Sequence, residues 1–109
     1  MQTEELIELV SDIRKIKSES QTLELKAAKI NCPTKLFDTL SSFSNQDNGG
    51  IIIFGIDESN DYEICGVYDP QDLQKRVNEQ CKQMDPVVRA LFTMCSMNGK
   101  TIVSDEIPG

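Results

Sequence analysis

The sequence predicts an α+β domain built around a mixed β-sheet, and three observations support this class. An amphipathic helical repeat opens the chain, and a continuous run of β-branched and aromatic residues, Ile51 to Ile56, lies near its middle. Two β-rich segments flank Asn98-Gly99, which is a strong short-range hairpin signal. Because the last strands form a hairpin, the sheet is mixed. The predicted order is α-β-α-β-β-α-β-β, with about five strands and three helices.

The N-terminal helix is predicted over residues 1–17, because apolar side chains recur there at helical spacing. Thr3 can cap its start, with acids in the first turn and bases in the last, as the helix dipole favours. The apolar stripe is wide and leaves two interpretations open, of which packing on the chain's own sheet is favoured over pairing with a second copy in a homodimer. Its members are Leu6, Ile7, Leu9, Val10, Ile13 and Ile16.

A short strand and a second helix follow. Residues 23–27 alternate between apolar and polar side chains, which predicts a strand with Leu23 and Leu25 facing inward. Pro33 suits the first position of a helix. The turn sequence NQDNGG ends that helix, whose apolar stripe consists of Leu36, Phe37, Leu40 and Phe43.

The middle of the chain predicts a central strand and a third helix. The run from Ile51 to Ile56 is bounded by turn residues and is apolar, as in a strand buried on both faces. A weaker strand is predicted from Tyr62 to Val67. Asp69 and Pro70 then supply an N-cap and a first-turn proline, and Asp85-Pro86 ends the helix. The apolar positions of this helix are Leu73, Val77 and Cys81.

Size and charge limit the function. The chain has 109 residues, enough for one domain over residues 1–109, and its net charge of −7 counts against a large phosphate-binding surface. No apolar run is long enough to span a membrane, so no membrane partner is expected. The four cysteines form no C-x-x-C pair and histidine is absent, which excludes the common zinc sets that need one. Such thiols suit a reducing cytoplasm.

Basic residues cluster in the first third of the chain and form a local footprint that nucleic acid could use. A solvated face balanced by nearby glutamates explains the same residues about as well. Aromatic residues are few, so base stacking is expected to contribute little. The cluster holds six of the eleven basic residues: Arg14, Lys15, Lys17, Lys26, Lys29 and Lys35.

Gly49 and Gly50 follow the second helix and open the central strand. Their backbone N–H groups could form an anion-binding nest, but a helix C-cap followed by tight packing is the favoured interpretation. A phosphate loop normally precedes a helix, and the motif G-x-x-x-x-G-K-[ST] is absent. ATP is therefore not expected as a ligand.

Four short motifs in a fixed order resemble the Schlafen AlbA-type domain. They are ESQTLELK (Glu19 to Lys26), SFSN at the end of the second helix, GGIIIFGIDE (Gly49 to Glu58) and ICGV (Ile64 to Val67). The resemblance covers roughly residues 15–109, and Pro86 and Ile107-Pro108 match the family's tail. The chain departs from the family pattern in two places. Between Asn45 and Gly49 it has one residue more than usual, with Ser44 in place of alanine, and it stops at Gly109, where the family commonly continues into an effector region.

The resemblance implies a function in nucleic-acid binding. Bacterial members of the family are described as DNA-binding domains of transcriptional regulators, and the family was once labelled a divergent AAA domain. The chain is accordingly expected to be the N-terminal part of a longer regulator that acts in the cytoplasm. On this interpretation the contacts to DNA or RNA fall on Lys26, Lys29, Lys35, Asn45, Gly49 and Gly50.

The resemblance also implies an alternative, a metal-dependent nuclease. In the vertebrate Schlafen proteins the corresponding positions supply a carboxylate triad that cleaves RNA. Carried over to this chain, the triad falls on Glu19, Glu24 and Glu58, and Asp57 is a neighbouring carboxylate. Glu58 stands where the family more often has aspartate.

Three converging acids have a defined chemistry. They repel one another and raise at least one pKa unless a cation neutralises them. Oxygen ligands without histidine or thiolate select Mg²⁺ or Mn²⁺, which can polarise a phosphoryl oxygen and activate water. Glu19 must then lie in the loop before the strand, because a spacing of five residues would put Glu19 and Glu24 on opposite strand faces. If the acids are instead ordinary solvated residues, a dimerisation or interaction module without nucleic-acid contact is the third hypothesis.

Overall fold

The computed structural model of the protein describes all of residues 1–109. Three α-helices and six β-strands form along the chain, with one 3₁₀ turn, Glu58–Asn60, after the third strand. The helices are α1 (Thr3–Ile16), α2 (Phe37–Ser44) and α3 (Pro70–Lys82). The strands are β1 (Leu23–Lys26), β2 (Gly50–Phe54), β3 (Ile56–Asp57), β4 (Glu63–Ile64), β5 (Leu91–Met97) and β6 (Lys100–Ile107).

Four of the strands form one mixed sheet in the order β1-β2-β6-β5. β1 runs parallel to β2, whereas the β2–β6 and β5–β6 pairs are antiparallel. α2 lies in the crossover that a parallel pair requires. β3 and β4 pair in a separate two-stranded sheet. The predicted α+β class with a mixed sheet is confirmed, with six strands instead of about five.

The terminal hairpin forms as the Asn98-Gly99 pair predicts. Both residues have positive φ angles, 54° and 72°, which a type I′ turn requires and which asparagine and glycine tolerate. Met97 pairs with Lys100 across this two-residue loop, and the register continues to Leu91 opposite Glu106. The turn therefore sets which residues of β5 and β6 face each side of the sheet.

The sheet separates two hydrophobic layers. On one face α1 packs through Leu6, Val10 and Ile13 against inward residues of β1, β2 and β6. On the other face α2 and α3 cover Ile52 and Phe54 of β2. The prediction of a central strand buried on both faces is confirmed, because side chains of β2 enter both layers. α1 packs on its own sheet, which was the favoured interpretation of its stripe.

The predicted central strand is shorter than its apolar run, because Gly55 divides it. Gly55 has a φ of +110°, and a Cβ there would lie 3.2 Å from the carbonyl oxygen of Thr101. Its N–H donates to the carbonyl of Lys26 at 2.8 Å. The chain turns at this point, so β3 leaves the main sheet and pairs with β4. The strand predicted over residues 62–67 is limited to Glu63–Ile64.

The second helix begins at Phe37, and the prediction that it begins at Pro33 is wrong. Gln80 of α3 holds the intervening segment in a non-helical loop. Its side-chain nitrogen donates to the Pro33 carbonyl at 2.8 Å, and its oxygen accepts from the Leu36 N–H at 3.2 Å. Phe37, which was predicted in the apolar stripe, is 42% exposed. Tertiary hydrogen bonds here outweigh local helix propensity.

The other two helix starts show one correction and one confirmed prediction. Gln2, and not Thr3, is the N-cap of α1. The Thr3 hydroxyl instead donates to the Met94 carbonyl of β5 at 3.1 Å, which ties the start of the helix to the sheet. α3 begins as predicted, since the Asp69 carboxylate accepts from N–H groups of the first turn and Pro70 is the first helical residue.

The cysteines are free and buried, and they form no disulfide. Burial raises the pKa of each thiol, and that of Cys81 to about 12. Such thiols are poor nucleophiles near neutral pH. The four are Cys32, Cys65, Cys81 and Cys95. None of the helices has the length and apolar character needed to cross a membrane.

One carboxylic acid is fully buried in the layer between the sheet and the α2–α3 pair. Asp105 of β6 is 0% exposed and stands between Ile52 of β2 and Phe92 of β5 in the sheet register. Its Oδ1 accepts from the Leu91 N–H at 3.1 Å, whereas its Oδ2 has no hydrogen-bond partner. Burial raises the pKa of Asp105 to about 7. This acid was not singled out from the sequence.

Candidate functional site

The three predicted carboxylates come from separate elements that approach the free edge of β1. α1 ends at Lys17, whose left-handed φ of 55° turns the chain. The segment that follows carries Glu19 back towards β1. Glu24 lies within β1, and Glu58 opens the 3₁₀ turn after β3, a strand that contacts β1.

The Glu19 side chain makes one hydrogen bond, to the backbone of β1. Its Oε2 accepts from the Leu25 N–H at 3.3 Å. β1 has β2 as its only partner and is therefore an edge strand. The Leu25 N–H on its free edge has no carbonyl of a neighbouring strand to bond, and the Glu19 carboxylate accepts this hydrogen bond instead. The carboxyl group of Glu58 lies beside that of Glu19, close enough to raise the pKa of Glu19.

This environment raises the pKa of Glu19 to about 7. Burial of the carboxyl group makes the largest contribution, although the residue as a whole is exposed, and the side-chain contact with Glu58 comes next. The negative charges of Glu58 and Glu24 add to the rise, and the Leu25 N–H opposes it. The structure thus brings Glu19 and Glu58 into contact and places Glu24 near enough to act through its charge.

Glu24 itself points towards α2. Its register opposite Ile52 puts it on the α2 face of β1, where it lines a cavity of about 330 Å³ together with Asp38 and Ser42. No group of three or more Cys, Asp or Glu side chains is arranged to hold a metal ion. The oxygen donors therefore form a pair with a third acid nearby, and not a complete set for Mg²⁺ or Mn²⁺. A metal site at these three residues stays a prediction.

Asp57 has a local structural role. Its Oδ1 accepts from the Ser59 N–H at 3.1 Å and from the Ser59 hydroxyl at 2.6 Å. These bonds cap the 3₁₀ turn that begins with Glu58. Asp57 therefore orients the turn that carries Glu58 and does not itself join the carboxyl pair.

The predicted basic cluster divides into two groups. Arg14 donates to the Tyr62 carbonyl at 2.9 Å, and Lys17 pairs with Asp61. Both are engaged with the turn that follows Asn60. The other four lysines of the cluster make no ion pair, and these are Lys15 on α1 and Lys26, Lys29 and Lys35.

Two of the unpaired lysines lie on one loop. Residues 27–36, here called the lysine loop, connect β1 to α2, and Lys29 and Lys35 are exposed on it. Lys26 precedes the loop and is half-buried in β1. The left-handed Ala28 (φ 48°) is buried and accepts the Tyr68 N–H at 3.0 Å, which fixes the start of the loop.

The two predicted glycines have a packing role. Gly49 has a φ of +66°, and a Cβ there would lie 1.9 Å from the Ile107 carbonyl oxygen. A Cβ at Gly50 would lie 2.4 Å from the Phe43 ring. Both glycines are buried, and the Gly49 N–H already donates to Gln46. Close packing therefore accounts for glycine at both positions, with no need for a bound anion. Asn45, which was also predicted to contact nucleic acid, is the exposed C-cap of α2.

A polar cavity between the lysine loop and α3 was missed from the sequence. It has a volume of about 560 Å³. The sequence feature that could have indicated this cavity is a stripe of polar residues along α3. These residues recur at helical spacing beside the apolar stripe of the helix. The polar stripe consists of Asp72, Arg76, Glu79 and Gln80 and continues to the C-cap Gln83, and all five residues line the cavity.

A family model described as Schlafen, AlbA_2 matches residues 19–108. The chain belongs to the Schlafen, AlbA_2 family. The match begins at Glu19 and takes in Glu24, Glu58 and the lysine loop, so the resemblance inferred from four motifs is confirmed. The AlbA_2 match runs from β1 to β6, and α1 lies before it.

Two solved structures share the fold of this AlbA_2 domain. One is the N-terminal domain of a RecG-related protein from Nitrosomonas europaea, with a TM-score of 0.76 and 24% identity, over 93% of this chain and 71% of that chain. The other is the DIP2311 protein from Corynebacterium diphtheriae, with a TM-score of 0.56 and 18% identity. That match covers 97% of this chain but only 22% of DIP2311. At these identities the likeness shows the fold alone. No curated protein matches the chain.

Proposed function

We propose that this AlbA_2 domain binds nucleic acid through its lysine loop, as the N-terminal DNA-binding module of a cytoplasmic transcriptional regulator. One observation carries the proposal: Lys29 and Lys35 are exposed and make no ion pair in a chain whose net charge is −7. Free cations on one loop attract phosphate locally even when the whole molecule is acidic. The proposal is also supported by the RecG-related protein, whose name refers to an ATP-dependent DNA helicase.

The lysine loop is held in place before any ligand arrives. Gln80 bonds both the Pro33 carbonyl and the Leu36 N–H, and Ala28 is tied to Tyr68. These contacts fix the loop on both sides of its exposed lysines. A loop that is already ordered loses little conformational entropy on binding.

The number of phosphate contacts is small in this proposal. With about three lysines engaged, the logarithm of the binding constant should fall against the logarithm of salt concentration with a slope of about −2 to −3. Binding is therefore expected at low ionic strength and weak near physiological salt. A slope in this range separates a local patch from an extended basic surface.

Fluorescence anisotropy with labelled duplex DNA and with an RNA hairpin tests the proposal. Lys29→Gln and Lys35→Gln should each weaken binding and reduce the size of the salt slope by about one. Lys15→Gln is the matched control, because Lys15 is also exposed and makes no ion pair but lies on α1, across the sheet from α2 and α3. Binding that is unchanged in both loop variants contradicts the proposal.

A metal-dependent nuclease is the second candidate, and the Glu19–Glu58 contact favours it. Two neighbouring carboxyl groups repel each other when both are charged, and a cation between them would relieve that repulsion. Mg²⁺ or Mn²⁺ held there would polarise a phosphoryl oxygen. Glu24 would have to swing from the α2 face towards the pair to complete three ligands.

A cleavage assay on single- and double-stranded DNA and RNA tests this candidate. Cutting that requires Mn²⁺ or Mg²⁺ and is abolished in Glu24→Gln and Glu58→Gln supports a nuclease. Asp47→Asn is the control, since Asp47 is exposed and makes no side-chain hydrogen bond or ion pair. Binding without cleavage, with every metal tried, supports a binding domain alone.

A further inference from the structure

The polar cavity between the lysine loop and α3 has no role in the phosphate contacts described above. Its volume of about 560 Å³ falls within the usual range for small-ligand sites. Its walls carry an arginine, two exposed amide residues and an exposed aromatic ring, in addition to two acids of α3. The arginine is Arg76, the amides are Asn31 and Gln83, and the ring is Phe37.

Arg76 is oriented by a chain of hydrogen bonds. The Tyr68 hydroxyl donates to the Asp72 carboxylate, and Arg76 Nε donates to the same carboxylate oxygen at 2.8 Å. These two bonds hold the pKa of Asp72 below its usual value, so the carboxylate remains charged. The two terminal nitrogens of the Arg76 guanidinium make no hydrogen bond within the protein. A planar cation with free donors is thus presented at the cavity wall.

Phe37 provides a second flat surface. It is the first residue of α2, lines the cavity and is 42% exposed, although aromatic side chains are usually buried. Phe37 does not pack in the core as its place in the apolar stripe predicts. The segment before it is held outside the helix by hydrogen bonds with Gln80. The sequence therefore places an aromatic ring at an open cavity where packing does not require one.

The charges of the cavity argue against a bare anion as its ligand. Asp72 and Glu79 outnumber Arg76 among the lining residues, so a phosphate would meet a net negative wall. A neutral heteroaromatic ring suits this wall better, because it can stack on Phe37 or Arg76 and bond with the amides of Asn31 and Gln83. Lys35 adjoins the lining residue Thr34 and could take the adjacent phosphate.

We infer that this cavity binds an unpaired nucleobase of single-stranded nucleic acid while the lysine loop contacts the neighbouring phosphates. The inference rests on the proposed nucleic-acid binding and specifies it, since a paired base cannot enter a cavity. The sequence predicts little base stacking. The inference adds stacking of one base, on Phe37 and Arg76.

Two strands of equal charge test the inference. The 109-residue protein is titrated with a labelled thymidine strand of about 12 nucleotides and with an abasic strand of the same length. The thymidine strand should bind about 5- to 150-fold more tightly, the range expected when one base stacks on a side chain. Phe37→Ala should remove that advantage and leave the affinity for the abasic strand unchanged.

Arg76→Lys is a second variant that does not depend on the aromatic ring. Lysine keeps the charge but loses the planar guanidinium, so the base advantage should fall while the salt slope stays the same. Ile16→Ala is the matched control, because Ile16 is 70% exposed and lines no cavity. Both variants change exposed residues, and circular dichroism spectra of the two should match the wild-type spectrum if they fold normally.

The outcomes separate this inference from the proposed function. Equal binding of the two strands, with the lysine dependence retained, overturns the base site and leaves nucleic-acid binding intact. No binding of either strand by a protein that still binds duplex DNA overturns the base site alone, and no binding of either strand or of the duplex at low salt overturns both. Saturation by free thymidine monophosphate, with no advantage for the thymidine strand, overturns the assignment to nucleic acid and identifies a mononucleotide site.

Discussion

Asp105→Asn is expected to stabilise the protein at neutral and alkaline pH, and at acid pH to leave its stability unchanged or lower it by up to about 2 kcal/mol. Asp105 is fully buried, and one of its two oxygens has no hydrogen-bond partner. Asparagine has the same shape, keeps an acceptor for the Leu91 N–H and cannot ionise. The substitution removes the free-energy penalty of a charged carboxylate in the core without opening a cavity.

The magnitude follows from the pKa. Burial raises the pKa of Asp105 from its ordinary value of 3.8 to about 7 in the folded protein. As the pH rises, the unfolded chain loses this proton first, so the folded state binds more protons and the free energy of unfolding falls. The fall is about 1.4 kcal/mol per pH unit between about pH 4 and pH 7, or about 4 kcal/mol in total. The new amide N–H₂ also lacks a partner, which reduces the expected gain at about pH 8 to about 2–4 kcal/mol.

Urea denaturation followed by circular dichroism measures this effect at about pH 4.5 and about pH 8. Asp47→Asn serves as the control, because it removes the same charge from an exposed position and should change stability by less than about 0.5 kcal/mol. An equal effect of Asp105→Asn at both pH values would refute the reasoning. So would destabilisation at the higher pH, since it would mean that the charged carboxylate has a favourable partner in the fold.

Two further predictions concern the glycine and the carboxyl pair. Gly50→Ala should destabilise the protein by about 1–3 kcal/mol, because the new methyl group would overlap the Phe43 ring. Gly99→Asn should leave the melting temperature nearly unchanged, because a Cβ at Gly99 meets nothing within 4 Å and asparagine tolerates its φ of +72°. Glu58→Gln should lower the pKa of Glu19 from about 7 towards the ordinary carboxyl range. The substitution removes a negative charge and supplies an amide donor. Carboxyl-detected NMR titration measures this pKa, and a Glu19 midpoint that does not move would show that Glu58 has no part in raising it.

The sequence predicted the fold well wherever local chemistry decides it. Asn98-Gly99 forms the hairpin, and Asp69 and Pro70 start α3, because turn and cap geometries are set by a few adjacent residues. The predictions were wrong where residues far apart in the sequence determine the local structure. Gln80 keeps the segment after Pro33 out of the helix, and Gly55 redirects an apolar run that looks like one strand.

The candidate site was predictable in its parts but not in its geometry. The contact between Glu19 and Glu58 follows from motifs that the family resemblance had aligned. Alternation within β1 puts Glu24 on the face opposite Leu23 and Leu25, but that α2 covers this face depends on the β1–β2 pairing and the crossover, which β1 itself does not encode. The division of the basic cluster likewise depends on tertiary partners, since Lys17 meets Asp61 only after the chain has folded.

The salt dependence of duplex DNA binding tests the central claim most directly. The measurement compares the wild type with the double variant Lys29→Gln/Lys35→Gln at several low salt concentrations. The wild type should bind with a slope of about −2 to −3, and the double variant should lose about two units of that slope. Absence of binding by the wild type at the lowest salt concentration, or an identical slope in the two proteins, would contradict nucleic-acid binding through the lysine loop.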